Sequence, residues 1–234
     1  MKRNTVDRVA ALADLRKQLG TRIVTGSELL QVQETREVRS ATGMAGLNQQ
    51  LGGGLPKGQI TEIIDSGKGG GGLVLVEMLA EARQSRNYVV WVDVGCGFSP
   101  EGLPERDLES LLWVGCSSAK EAVEVLDTVS RDENFSLFLI DLRGSTPHDW
   151  RSVRASQWQR ILAQLRQHES SAVLFASEPV TSAAKSRVRV EAELSCRDLD
   201  ENREQLWGRL RFSPVEKAVV SAPSQRTTEW QQVG

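Results

Sequence analysis

From Tyr88 to Val94 the chain reads YVVWVDV, and from Ser136 to Asp141 it reads SLFLID. Unbroken apolar runs of this length, rich in β-branched and aromatic residues, predict strands buried on both faces. Gln59–Ile64 and Ala172–Ala176 are shorter runs of the same kind. Apolar positions recur at helical spacing from Leu73 to about Arg83, over Ala119–Val129 and over Ser156–His168. Strand and helix thus alternate, which predicts an α/β fold with a mostly parallel sheet flanked by helices. After Lys185 the alternation stops. Arg187–Leu194 and Trp207–Phe212 alternate charged and apolar residues around a polar stretch, Arg197–Glu204, and predict an antiparallel hairpin at one edge of the sheet. Ala218–Ser221 is a candidate last strand, and from Pro223 the tail is polar, with Trp230 as its candidate anchor.

Upstream, Val6, Val9, Leu12, Leu15 and Leu19 recur at helical spacing between charged residues, and Gly20 is a natural stop. An N-terminal amphipathic helix follows, joined by a polar linker over Gln31–Ser40. Its apolar stripe (Val9, Leu12, Leu15, Leu19) either packs on its own domain or docks on a partner, and the pattern favours neither. Three parts result: helix and linker over 1–39, a core over 40–223, and a tail over 224–234.

The 234 residues are 39% hydrophobic and 26% charged, enough to bury one sizeable core. A formal net charge of −2 gives the whole molecule no electrostatic reason to coat itself in nucleic acid, so any DNA contact needs a local patch. Cys96, Cys116 and Cys196 form no CxxC pair or disulfide framework, and with only His148 and His168 beside them no metal site is expected. With no signal-like or membrane-spanning run, the expected compartment is the cytoplasm.

Strand, glycine-rich loop and helix in that order are the setting of a phosphate-binding loop. The chemistry needs backbone amides around the phosphates, a lysine in the last turn of the loop, and a neighbouring hydroxyl for magnesium. Here the loop reads Asp65-Ser66-Gly67-Lys68-Gly69-Gly70-Gly71-Gly72-Leu73. Lys68 is followed by glycine. If Leu73 opens the helix, the lysine and hydroxyl positions fall on Gly70, Gly71 and Gly72. The backbone suits phosphate and the side chains do not, so neither nucleotide nor any other cofactor is expected.

With these residues in view, the chain resembles the RecA superfamily from about Ser40 to Pro223. Thr42-Gly43, Leu47 and Gly53-Gly54-Leu55-Pro56-Lys57-Gly58 leading into Thr61-Glu62-Ile63 look like the entry to a RecA-like core. Tyr88–Asp93 resembles the next core strand, and Leu137–Asp141 the strand that carries the Walker B aspartate, here Asp141. The departures share one direction. Where RecA-type ATPases place a water-activating acid two residues after the second strand's aspartate, Asp93-Val94-Gly95 has glycine. Where a glutamine would sense the γ-phosphate, Glu178 stands.

A kept scaffold with a decayed loop is similar to ImuA-type and SulA-like members of the superfamily, and the length favours the ImuA type. That resemblance implies an accessory role in SOS-induced translesion synthesis beside ImuB, a DnaE-type polymerase and, as a further partner, RecA. Its alternatives are a DNA-stimulated ATPase with an atypical loop and an FtsZ-binding division inhibitor. Arg151 and Arg154, with Lys185, Arg187 and Arg189 near the carboxyl end of the sheet, are candidate contacts for single-stranded DNA; a solvated arginine face explains them slightly better. Among six tryptophans, Trp91 and Trp113 are expected in the core, and Trp150, Trp158, Trp207 and Trp230 are candidate interface residues.

Overall fold

The structure is a computed structural model. It describes residues 38–215 apart from 66, 68, 69, 102, 193, 196, 197, 199 and 200. The expected N-terminal helix, the Ala218–Ser221 strand and the tail lie outside the described residues.

A short pair, β1 (Arg39–Ser40) and β2 (Leu55–Pro56), brackets helix α1 (Ala45–Gln50). Gly54 closes this turn at φ +127°, and a Cβ there would lie 2.3 Å from the Ser40 carbonyl oxygen, so only glycine fits. There follow β3 (Gln59–Asp65), α2 (Gly70–Gln84), β4 (Tyr88–Val94), α3 (Glu105–Leu108), β5 (Leu111–Cys116), α4 (Ala119–Val129) and β6 (Phe135–Asp141). The chain continues through α5 (Pro147–Arg151), α6 (Ala155–Gln167), β7 (Ser171–Ala176), β8 (Ser186–Ala192), α7 (Arg203–Trp207) and β9 (Leu210–Pro214).

Seven strands form one sheet in the order β5-β4-β6-β7-β3-β8-β9. The first six are mutually parallel, and β9 runs antiparallel to β8. Alternation along each central strand divides the core in two. Val90, Val92, Phe138, Ile140, Ala172 and Leu174 pack with Leu126, Trp158, Ile161 and Leu165 under α4 and α6. Val89, Trp91, Leu139, Val173 and Phe175 pack with Val74, Leu75, Met78 and Leu79 under α2. Continuous apolar strands are what a sheet covered on both faces requires.

Several expectations need correction. Helix α2 starts at Gly70, not Leu73: Asp65 Oδ2 accepts the first-turn amide of Gly71, and the turn is packed so closely that a Cβ on Gly70 would sit 2.9 Å from Val190 Cγ2. Strand β5 has no counterpart in the apolar-run reading. It is an edge strand paired only with β4, so Trp113 is 41% exposed rather than in the core. Trp150 and Trp158, expected at interfaces, are buried at 3% in the core under α6. Their polar neighbours in sequence occupy the outer faces of α5 and α6.

Candidate functional site

The carboxyl ends of β3, β4 and β6 lie at one end of the sheet, β4 beside β6 and β3 one strand further on across β7, and carry Asp65, Asp93 and Asp141, with Asp93 in register with Asp141. They open on a cavity of about 970 Å³ walled by Leu73 and Val76 of α2, Trp91 of β4, Phe98, Arg143 and the connection between β8 and β9. Trp91 and Phe98 stack at 4.3 Å between ring centroids.

Asp65 ends β3 and turns its carboxylate toward the start of α2. Oδ1 accepts from the Gly67 amide and Oδ2 from the Gly71 amide, each at 3.0 Å. Arg143, two residues beyond Asp141, joins the two aspartates. Its Nε and Nη2 donate to the Asp141 carboxylate at 2.9 and 2.6 Å, and its Nη1 donates to Asp65 Oδ2 at 3.2 Å. Burial alone would lower the affinity of Arg143 for its proton, but the hydrogen bonds and charges of Asp141 and Asp65 outweigh it and raise its pKa. The guanidinium also lies 5.9 Å from the Phe175 ring centroid.

This bridge fills the space into which any side chain at position 71 would grow. A Cβ on Gly71 would lie 2.5 Å from Asp65 Oδ2 and 2.8 Å from Arg143 Nη1. Gly72 supplies no hydroxyl, and both oxygens of Asp141, expected from the sequence as the Walker-B-like residue, are engaged by Arg143. Past β4, Gly95 takes φ +92°, a left-handed conformation in which a carboxylate-bearing residue would be strained. Asp93 Oδ2 accepts from the Phe98 amide at 2.8 Å and from Trp113 Nε1 at 3.4 Å. Of the expected loop residues, Gly67, Gly70, Gly71 and Gly72 are described, while Ser66, Lys68 and Gly69 lie outside the described residues.

The candidate DNA contacts do not gather at the carboxyl end of the sheet. Because β8 is parallel to β3, Lys185 donates its amide to Ile60 at the opposite, amino end. Arg187 turns inward: its Nε donates to Glu62 and its Nη2 to the Thr181 carbonyl. Glu62 is fully buried, and its other oxygen accepts the Val180 and Thr181 amides at 3.1 and 2.7 Å. Arg187 is therefore a core ion-pair residue and not a DNA contact. Arg189 stands opposite Ile64, near the carboxyl end. Arg151 is exposed, 3.8 Å from Glu178, and Arg154 precedes α6 with its amide donated to Gln157 Oε1. Val9, Leu12, Leu15, Leu19 and Trp230, the candidate docking residues, lie outside the described residues.

Sequence reading missed Asp65 and Arg143 as a pair. The available signals were a carboxylate closing the buried strand and an arginine two residues after Asp141. Glu62 and Arg187 carried no such signal, since their meeting depends on the pairing of β3 with β8.

Residues 8–148, more than half of the chain, match the model of the RecA N-terminal domain. Over 142 residues the chain is 31% identical to the RecA protein of Cutibacterium acnes, covering 58% of this chain and 41% of that protein. It is 27% identical over 139 residues to RecA of Cereibacter sphaeroides, covering 56% and 39%. The chain thus spans about two-fifths of the length of these relatives. Among solved structures, a RadB recombinase superposes with a TM-score of 0.54 at 21% identity, covering 66% of this chain and 84% of that one, a likeness of fold. Among the described residues, no helix is long and apolar enough to cross a membrane.

Proposed function

The chain belongs to the RecA family, and from that premise we propose that it is a non-catalytic, cytoplasmic accessory protein of damage-induced translesion synthesis, of the ImuA type. It acts by associating with proteins, a ImuB-like partner and a DnaE-type polymerase first and RecA itself next. What supports this is the bridge at the start of α2: Arg143 and Asp65 stand where a lysine at position 71 would project, and Arg143 holds both oxygens of Asp141. Phosphoryl transfer is positioning and charge stabilisation, and it needs that lysine, a metal-binding hydroxyl and an acid to orient water. Glycines fill all three positions: Gly71, Gly72 and Gly95. Contact with single-stranded DNA is a minor part of the proposal and rests on Arg151, Arg154 and Arg189.

Equilibrium binding of ATP with and without magnesium is the direct test. No magnesium-dependent binding in the micromolar range is expected; finding it would favour a DNA-stimulated ATPase. Co-purification of the tagged chain from damaged cells, with Val6–Leu19 and the tail from Pro223 deleted in turn, tests the partners. Recovery of polymerase subunits supports the proposal, and recovery of FtsZ instead would make the chain a division inhibitor.

A further inference from the structure

Near the carboxyl end of β4, Asp93 is a carboxylate 2% exposed that no cation neutralises. Its Oδ2 accepts the Phe98 amide at 2.8 Å and Trp113 Nε1 at 3.4 Å. Among the described residues Oδ1 accepts from no donor, and it is not sealed from solvent, so it opens on the cavity that Asp93 lines. The buried carboxylates Glu62, Asp65, Asp107, Asp127 and Asp141 each face an arginine. Asp93 does not: Arg143 is taken up by Asp65 and Asp141, and no ion pair joins Asp93 to Arg203, the other arginine on the cavity wall. Asp65, Asp93 and Asp141 against these two arginines leave the wall one net negative charge. A buried charge without a counter-ion is destabilising. The rest of the wall beside Asp93 is apolar: Trp91 and Phe98, with ring centroids 4.3 Å apart, and Leu73 and Val76 of α2.

Aromatic faces beside a carboxylate attract an organic cation in two ways, through the ring quadrupoles and through the charge. A carboxylate at the end of an apolar slot is also how trypsin-type proteases select basic side chains. We propose that Asp93, Trp91 and Phe98 form a receptor for a guanidinium on an apolar stem, the chemistry of an arginine side chain. The guanidinium donates to Asp93 Oδ1, and the stem lies against Trp91, Phe98 and Leu73. Guanidinium suits the place better than ammonium, because it is planar, weakly hydrated and stacks on aromatic rings. The receptor uses neither the amides before α2 nor Arg143. That the arginine arrives on another protein rests on the accessory role proposed above; the receptor itself does not.

The test uses the full ¹⁵N-labelled chain at constant ionic strength. Benzamidine and N-acetylarginine amide are the cations, and benzamide and N-acetylcitrulline amide are their neutral counterparts. The Phe98 amide and the Trp113 indole N–H report binding, since both donate to Asp93. Both cations shift these signals saturably in the millimolar range or tighter, and the neutral counterparts bind at least about ten-fold more weakly. Asp93→Asn, which keeps an acceptor for the Phe98 amide, weakens the cations at least about ten-fold and leaves the neutral compounds unchanged. Val76→Trp, which fills the cavity from α2 with Asp93 in place, abolishes the response and serves if Asp93→Asn unfolds the chain. Neutral compounds that bind as tightly as the cations overturn the proposal, a comparison made on the wild type that needs no variant to fold. So does the absence of a saturable shift, a cation response that survives Asp93→Asn, or binding of benzamidine without the arginine derivative. None of these results touches the accessory role, which co-purification of partners tests separately.

Discussion

Replacing Glu62 by alanine removes the carboxylate that, among the described residues, neutralises Arg187 inside the fold. Glu62 is fully buried, the Arg187 side chain is 11% exposed, and Glu62 also accepts the amides of Val180 and Thr181. Breaking a buried pair from one side costs about 3–5 kcal/mol, because the surviving charge stays desolvated. Each amide left without an acceptor adds about 1–3 kcal/mol unless water reaches it. Val180 is only half-buried and regains water readily, so with the buried Thr181 amide the total expected is at least about 4 kcal/mol. For a chain of this size each kcal/mol moves the melting temperature by about 2–4 °C, which gives a drop of at least about 8 °C. Urea denaturation followed by circular dichroism measures the loss, and Arg187→Ala should show one of similar size. The double variant Glu62→Gln/Arg187→Met, which removes both charges and keeps the volumes, should recover a large part of it. A loss below about 1 kcal/mol for Glu62→Ala would refute the buried-pair account. So would an Arg187→Ala chain of unchanged stability that binds single-stranded DNA more weakly.

Gly144→Ala places a Cβ 2.0 Å from the Val94 carbonyl oxygen, a clash with backbone that no rotamer relieves, and should cost about 3 kcal/mol or more in the same assay. Trp158→Ala, emptying a buried core position, should cost about 3–5 kcal/mol, whereas Trp113→Ala on the exposed edge strand should cost under about 1; reversed magnitudes would refute the placement of these two side chains. The Ser195 amide and then Arg209 pull the Asp198 carboxyl from the ordinary 3.8 down to about 2. Its folded-state pKa is depressed, so its contribution is complete above pH 3.8 and is lost as pH falls toward 2. Carboxyl NMR should find that midpoint, and Asp198→Asn should flatten the acid limb of stability in that window.

The parallel core was legible because each central strand is buried on both faces, and double burial leaves an apolar run that needs no alignment to see. Edge strand β5 escaped for the complementary reason. Leu111–Cys116 is covered from one side of the strand ladder only, and its six residues, LLWVGC, follow the four-residue α3 too closely to stand out as a separate run. Trp158 was misplaced because helical neighbours such as Gln157 and Gln159 point away from the face that Trp158 buries. Around the loop, the glycines show directly in the sequence, while Asp65 and Arg143 stand 78 residues apart and meet only when β3 and β6 are brought to the same end of the sheet.

Loss of a catalytic lysine alone would leave a helix mouth with unsatisfied amides and an aspartate at the end of β6 without its cation. Both are costly in a site with apolar walls such as Trp91 and Phe98. Arg143 answers the second need by neutralising Asp141, and Asp65 answers the first by accepting the Gly67 and Gly71 amides. Each substitution is sensible only with the other in place: Asp65 beside Asp141 without Arg143 would be two carboxylates facing one another, and Arg143 beside a lysine at position 71 would be two cations. The pair therefore organises this end of the sheet around a fixed internal salt bridge. A RecA-family scaffold held in that way has one less reason to change shape with nucleotide, which is what the proposed accessory role asks of it.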